Sequence, residues 1–232
     1  MTRQIPGACV PRLPRVCVGW AGRAARALAT LVSASVLAAG ALTLAPAPAR
    51  AEDVITTQEY FSYYHLDTAR AKGYTGKGVA IALIDGTVDT SAPELKGANI
   101  TDKSRCTIEA APKDRGHGTA MASYLVAPAY GVAPDAALLT YQMSTDDSTS
   151  AGSCDIGGNR LDTYDQIINQ AIDDGAQIIS ISVGAPETDD SIKWAIARAM
   201  SRGVIIVNSA GNEGKDSNAN QLSRWSGVVG VS

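Results

Sequence analysis

The first 51 residues contain no acidic side chain, and the remainder of the 232-residue chain carries no basic patch. Without such a patch there is no electrostatic footprint for a nucleic-acid partner. Histidine is scarce, with two in the whole chain. Together with scattered acids they offer no zinc-ligand spacing, so neither a metal nor another cofactor is expected. No twin-arginine pair occurs, no segment repeats, and no low-complexity tract follows the leading segment. A phosphate loop is also absent. Gly73-Tyr-Thr-Gly-Lys-Gly78 comes close, but it precedes a strand instead of following one, and Lys77 is followed by Gly.

What is present is divided unevenly. Six arginines lie in residues 1–51, leaving 14 basic and 23 acidic side chains and a net charge of −9 beyond them. The arginine-bearing start leads into an apolar run of small residues, Ala27 to Ala45, and a proline-alanine stretch closing on Ala49-Arg50-Ala51. That small-x-small ending reads as a cleaved export signal over residues 1–51. The competing reading is a retained membrane anchor, because the run is close to spanning length. Its alanine-dominated, weakly apolar composition favours cleavage, and membrane contact is then expected only if cleavage fails or an anchor follows. Cleavage removes Cys9 and Cys17 and leaves Cys106 and Cys154. In an exported protein two such thiols read as one disulfide, the alternative being two free thiols.

Residues 52–73 form a polar, aromatic arm with a short helix ending near Gly73. Beyond it, strand and helix patterns alternate. Val79–Ile84, Ala137–Gln142, Ile178–Val183 and Val204–Val207 are apolar runs of strand length, and Val228–Val231 begins another. Gly118–Ala127, Leu161–Asp174 and Ser191–Ser201 have helical spacing, with Pro128, Gly175 and Gly203 as stops. Alternation of this kind predicts an α/β domain over residues 74–232, a parallel sheet with helices on both faces. Its chemistry belongs at the C-terminal ends of the strands.

Three residues stand at such places. Asp85 follows the first strand, His117 opens a helix between two glycines, and Asn212 follows the VIIV strand. Singly, each has an ordinary structural explanation: a turn former, an exposed histidine, an Asn-Gly turn. As an ordered set they meet the needs of acyl transfer. A histidine takes a proton from a nucleophile, a carboxylate holds the other ring nitrogen, and an amide faces the developing oxyanion.

Five segments carry a resemblance. They are Ile81-Ala-Leu-Ile-Asp85-Gly-Thr-Val-Asp89, Gly116-His-Gly-Thr-Ala-Met-Ala-Ser123, Gly131-Val-Ala-Pro-Asp-Ala136, Ile181-Ser-Val-Gly184 and Ser209-Ala-Gly-Asn-Glu-Gly214. In order and spacing this chain resembles the subtilases, the subtilisin-like serine peptidases, and its short arm resembles their actinobacterial mycosin-like branch. The resemblance implies a subtilisin-like fold, a secreted endopeptidase and a polypeptide substrate. It makes Asp85 the orienting carboxylate, His117 the general base and then acid, and Asn212 the oxyanion donor. Ser182, Val183 and Gly184 would pair with an extended substrate. Ala210 and Gly211 would line the pocket for the side chain before the scissile bond, with Glu213 at its mouth.

The chain departs from the family pattern in three places. Asp85-Gly86-Thr87 stands where the family has Asp-(Ser/Thr)-Gly, which displaces the supporting hydroxyl by one residue. Between Val126 and Gly131 only Ala-Pro-Ala-Tyr remains of a segment that in many bacterial subtilisins is a longer calcium-binding loop. The Gly-Thr-Ser block of the nucleophile does not occur, so the fold is expected to be incomplete at its C-terminal side. Ser123 and Ser182 do not fit a nucleophile's position and read as structural. The expected activity is that of a serine endopeptidase whose Ser is missing from this chain. The alternative is a secreted pseudopeptidase that binds extended peptides without cleaving them.

Overall fold

The computed structural model describes residues 54–106, 115–143, 155–156, 159–160, 162–184, 189–212 and 220–232. All belong to one unit, Asp53–Ser232. The arm holds two short helices, α1 (Glu59–Tyr63) and α2 (Leu66–Ala71), where the sequence suggested one. His65 between them takes a left-handed conformation, φ 54°, and breaks the helical run. Next come β1 (Ala80–Asp85), the edge strand β2 (Ile100–Asp102), α3 (Gly116–Val126) and β3 (Ala137–Gln142). A two-residue antiparallel pair, β4 (Asp155–Ile156) and β5 (Asn159–Arg160), precedes α4 (Tyr164–Asp173). The rest is β6 (Ile178–Ile181), α5 (Asp190–Ser201), β7 (Ile205–Ser209) and β8 (Val228–Val231). None of the described helices is long and apolar enough to cross a membrane.

Six strands form one parallel sheet in the order β2-β3-β1-β6-β7-β8. Alternation along each strand divides the core in two. Ala82, Ile84, Leu139, Tyr141, Ile179, Ile181 and Ile206 face α4 and α5, whose stripes Ile167, Ile168, Ala171, Ile172 and Ile192, Ala195, Ile196, Ala199 are buried against them. Ile81, Leu83 and Leu138 face the other way, onto Ala122 and Val126 of α3. Each fully buried Leu or Ile contributes about 1.5–3 kcal/mol, so the two layers rather than helix propensity hold the elements in place.

Two consequences position the site. From β1 the chain builds outward to β2 and β3, then crosses to β6 on the other side, so β1 is the switch point of the sheet. Moreover, the β2-α3-β3 and β6-α5-β7 crossovers step in the same direction along the sheet but lie on opposite faces. They are therefore of opposite hand, and the usual right hand belongs to only one of them. This reversal puts the start of α3 over the end of β1. The α3 face is covered unevenly, and Ile205, Val229 and Val231 toward the β8 edge are about half exposed.

Candidate active site

Asp85 is the last residue of β1, one position further into the strand than its sequence suggested. It shares the phase of Ile81 and Leu83, so its side chain turns toward α3. The carboxylate is 1% exposed. Its Oδ1 accepts the Gly86 N–H at 2.7 Å and pairs with His117 Nδ1 at 2.8 Å. Oδ2 is buried with no hydrogen-bond partner among the described residues. Burial pushes the Asp85 pKa up, and the hydrogen bond and charge of His117 oppose that rise. Donation from Nδ1 to a carboxylate fixes the tautomer, leaving Nε2 as the basic nitrogen. The imidazole is 57% exposed, open on the side away from Asp85.

His117 lies in the first turn of α3, which starts at Gly116 instead of Gly118. The helix comes this close because Gly118 has no side chain. A Cβ there would lie 2.8 Å from the carbonyl oxygens of both Gly86 and Thr87. Thr119 adds a tie across the same gap. Its hydroxyl donates to the Arg115 carbonyl at 2.6 Å and accepts the Asp89 N–H at 2.9 Å. The displaced hydroxyl of Thr87 accepts from the Gln142 side-chain amide. Sequence reasoning noted the two glycines that flank His117 but did not single out Thr119, which lies in the same Gly-His-Gly-Thr run.

The segments expected to hold a peptide need one correction. Ser182, Val183 and Gly184 are not part of a strand, because β6 ends at Ile181. Past that point the carbonyls are taken by side chains in place of a neighbouring strand. Asn208 Nδ2 donates to Ile181 O at 3.1 Å and Asn220 Nδ2 to Val183 O at 3.2 Å, while the Tyr164 hydroxyl reaches Gly184 O at 2.5 Å. Ser182 and Val183 are half-buried and Gly184 is exposed. The opposite segment follows β7. Ala210 donates to Val231 O at 2.7 Å and accepts the Asn220 N–H at 3.3 Å. Gly211 takes φ 98°, a turn open to glycine, and Asn212 follows it, exposed and three residues past the end of β7. Asn220, 4% exposed, thus bonds both segments, which nothing in the local sequence signalled. Burial, with the nearby charge of Asp85, raises the pKa of Tyr164 and keeps it a neutral donor. Glu213 and Cys154 lie outside the described residues.

Fold and pair together define a parallel α/β protein with a buried carboxylate and an exposed imidazole at the switch point of its sheet. The chain belongs to the subtilase family, whose model matches residues 76–232. It is 35% identical over 158 residues to the major intracellular serine protease of Bacillus subtilis (strain 168), covering 62% of this chain and 46% of that protein. Against subtilisin E of the same organism it is 33% identical over 157 residues, covering 62% and 37%. Among solved structures, the prenylagaramide maturation protease PagA superposes with a TM-score of 0.56 at 26% identity, covering 71% of this chain and 57% of that one. The chain thus spans about half, or less, of the curated relatives it matches.

Proposed function

We propose that this chain carries the Asp and His of an Asp-His-Ser endopeptidase that is exported and hydrolyses polypeptides through an acyl-enzyme. The observation that carries the reading is the 2.8 Å contact between His117 Nδ1 and the buried Asp85 carboxylate, with the imidazole otherwise open. In the proposed reaction Nε2 of His117 takes the proton of a serine hydroxyl as that oxygen attacks the scissile carbonyl. It then returns the proton to the leaving amine. Asp85 remains ionised throughout and stabilises the imidazolium. Asn212 faces the oxyanion, Ser182, Val183 and Gly184 bind the extended peptide, and Ala210 and Gly211 line the side-chain pocket. The Gly-Thr-Ser block is not in this sequence, so the proposed reaction needs a serine that these 232 residues do not supply.

Export over residues 1–51 is supported by the acid-free, arginine-bearing leader and its small-x-small ending. A Cys106–Cys154 bridge fits that location, and Cys106 is disulfide-bonded. The decisive experiment expresses the gene through its natural stop and probes it with a serine-directed fluorophosphonate and an unstructured protein substrate. Labelling and cleavage that vanish in His117→Ala support the reading. An extended product that binds extended peptides but neither labels nor cleaves replaces it with a pseudopeptidase.

A further inference from the structure

Four consecutive carbonyls after α3 accept hydrogen bonds from the arm. The chain turns back through Pro128-Ala-Tyr-Gly131, and the last carbonyls of the helix are satisfied by this return: Gly131 N–H bonds Ala127 O, Val132 N–H bonds Tyr124 O and Ala133 N–H bonds Leu125 O. The turn's own carbonyls are not used in this way. Arg70 Nη1 donates to Pro128 O and to Ala129 O, both at 3.1 Å, and Nη2 donates to Gly131 O at 2.5 Å. The fourth, Tyr130 O, accepts the Tyr60 hydroxyl at 2.9 Å. The guanidinium carbon also stands 4.7 Å over the Phe61 ring. Three carbonyl oxygens and an aromatic face form a cation site, and its occupant is a side chain of the arm.

We propose that Arg70 is a positioning residue. Its guanidinium fills a cation site on the turn after α3 and fixes the far end of the helix that carries His117. The negative end of the helix dipole lies there, so a cation is favoured for the helix as a whole. Tyr60 strengthens the hold by packing edge-on against Tyr124, 5.5 Å between ring centroids. Burial pushes its hydroxyl pKa up to about 12, so it stays a donor at any ordinary pH. A planar fork can serve three carbonyls at once, whereas an ammonium on a longer stem acts as a single point. With Arg70 truncated, the same carbonyls and ring are left to bind a free guanidinium-type cation. The geometry stands without the catalytic reading, but its meaning for catalysis rests on His117 being the base.

The test uses the full chain, isotopically labelled, as wild type, Arg70→Ala, Arg70→Lys and Tyr60→Phe. Two quantities are read: the thermal midpoint, and exchange of the imidazole Nδ1 proton held against Asp85. In Arg70→Ala the midpoint should fall by about 5 °C or more, and the Nδ1 proton should exchange at least several-fold faster. Millimolar methylguanidinium should recover both beyond equal sodium chloride or urea, while leaving wild type, Arg70→Lys and Tyr60→Phe unchanged. If Arg70→Ala does not fold alone, folding on addition of methylguanidinium supports the proposal and continued failure overturns it. An Nδ1 proton as protected as in wild type, or a loss indifferent to methylguanidinium, also overturns it. Neither readout involves cleavage, so failure here is separable from failure of the peptidase reading.

Discussion

Gly118 brings its Cα so close to Gly86 that an added methyl group would stand 2.8 Å from the Gly86 carbonyl oxygen. The oxygen is backbone, anchored at the end of β1, and cannot rotate aside. Gly118→Ala must therefore push the first turn of α3 away from Asp85. We expect a loss of about 1–3 kcal/mol in stability, in the range of overpacked sites. The hydrogen-bonded Nδ1 proton signal of His117 should weaken with it. Denaturant melts and proton NMR check both, and a variant with unchanged stability and signal refutes the close-approach account.

Asp85→Asn should separate stability from activity. In an active, serine-bearing form the orienting carboxylate becomes an amide, and kcat should fall by about 10⁴-fold, as in triads of this kind. Stability should move differently with pH. Burial holds the native Asp85 pKa above that of the unfolded chain, near 3.9. Over the window between those two values the native state binds more protons, so this residue makes wild-type stability fall as pH rises. Asn lacks the term. The midpoint of the variant relative to wild type should climb with pH from about 4 until the native pKa is passed, then level off. Asp89, Asp173 and Asp189, whose pKa values are lowered, act in both proteins and cancel in the difference. A difference that falls with pH contradicts this assignment.

Oxidised, denatured protein freed of residues 1–51 should contain no free thiol. Reduction should cost about 3–5 kcal/mol, given the long loop between Cys106 and Cys154. Thiol labelling before and after reductant, followed by a melt of each form, checks it. Two labelled cysteines before reduction contradict the pairing.

A chelator should leave the thermal midpoint where it was. The turn after α3 is too short to gather the six to eight oxygens calcium wants, and its carbonyls are taken by Arg70 and Tyr60. Glu94 is engaged too, accepting the Ile55 N–H at 3.1 Å. A fall of many degrees with chelator would point to a cation bound elsewhere in the chain.

The long elements were legible because their periodicity is long-range and redundant. Ile167, Ile168, Ala171 and Ile172 recur at one-turn spacing, and the strand at 137–142 coincides with its apolar run. The Asp85–His117 pair was suggested by position, a strand end and a helix start, together with the ordered segments that carry the family resemblance. What escaped notice depends on partners distant in sequence. β2 has three residues, two of them exposed, and exists because β3 offers an edge. The apolar Val183 argued for a strand reaching residue 183, but Asn208 and Asn220 compete for its carbonyls and end it at Ile181. Asn208 itself is fully buried in an otherwise apolar run. Such a side chain announces a structural bond only once the facing strand is known. Arg70 reads as an ordinary surface cation until the turn at 128–131 is folded against it.

The alternation of β1 has a consequence at the level of the gene. Ile81, Leu83 and Asp85 share one face, while Ala82 and Ile84 share the other. Substitutions inside the strand alter packing by degrees, because each leaves the phase intact. Loss or gain of a single codon between Ala80 and Ile84 does something else. If the apolar residues keep their layers, the carboxylate is carried through the sheet to the α4 and α5 side, out of reach of His117. Two codons restore the phase at the cost of one step along the strand. Descendants of this gene should therefore tolerate many residue changes here yet almost no odd change in length.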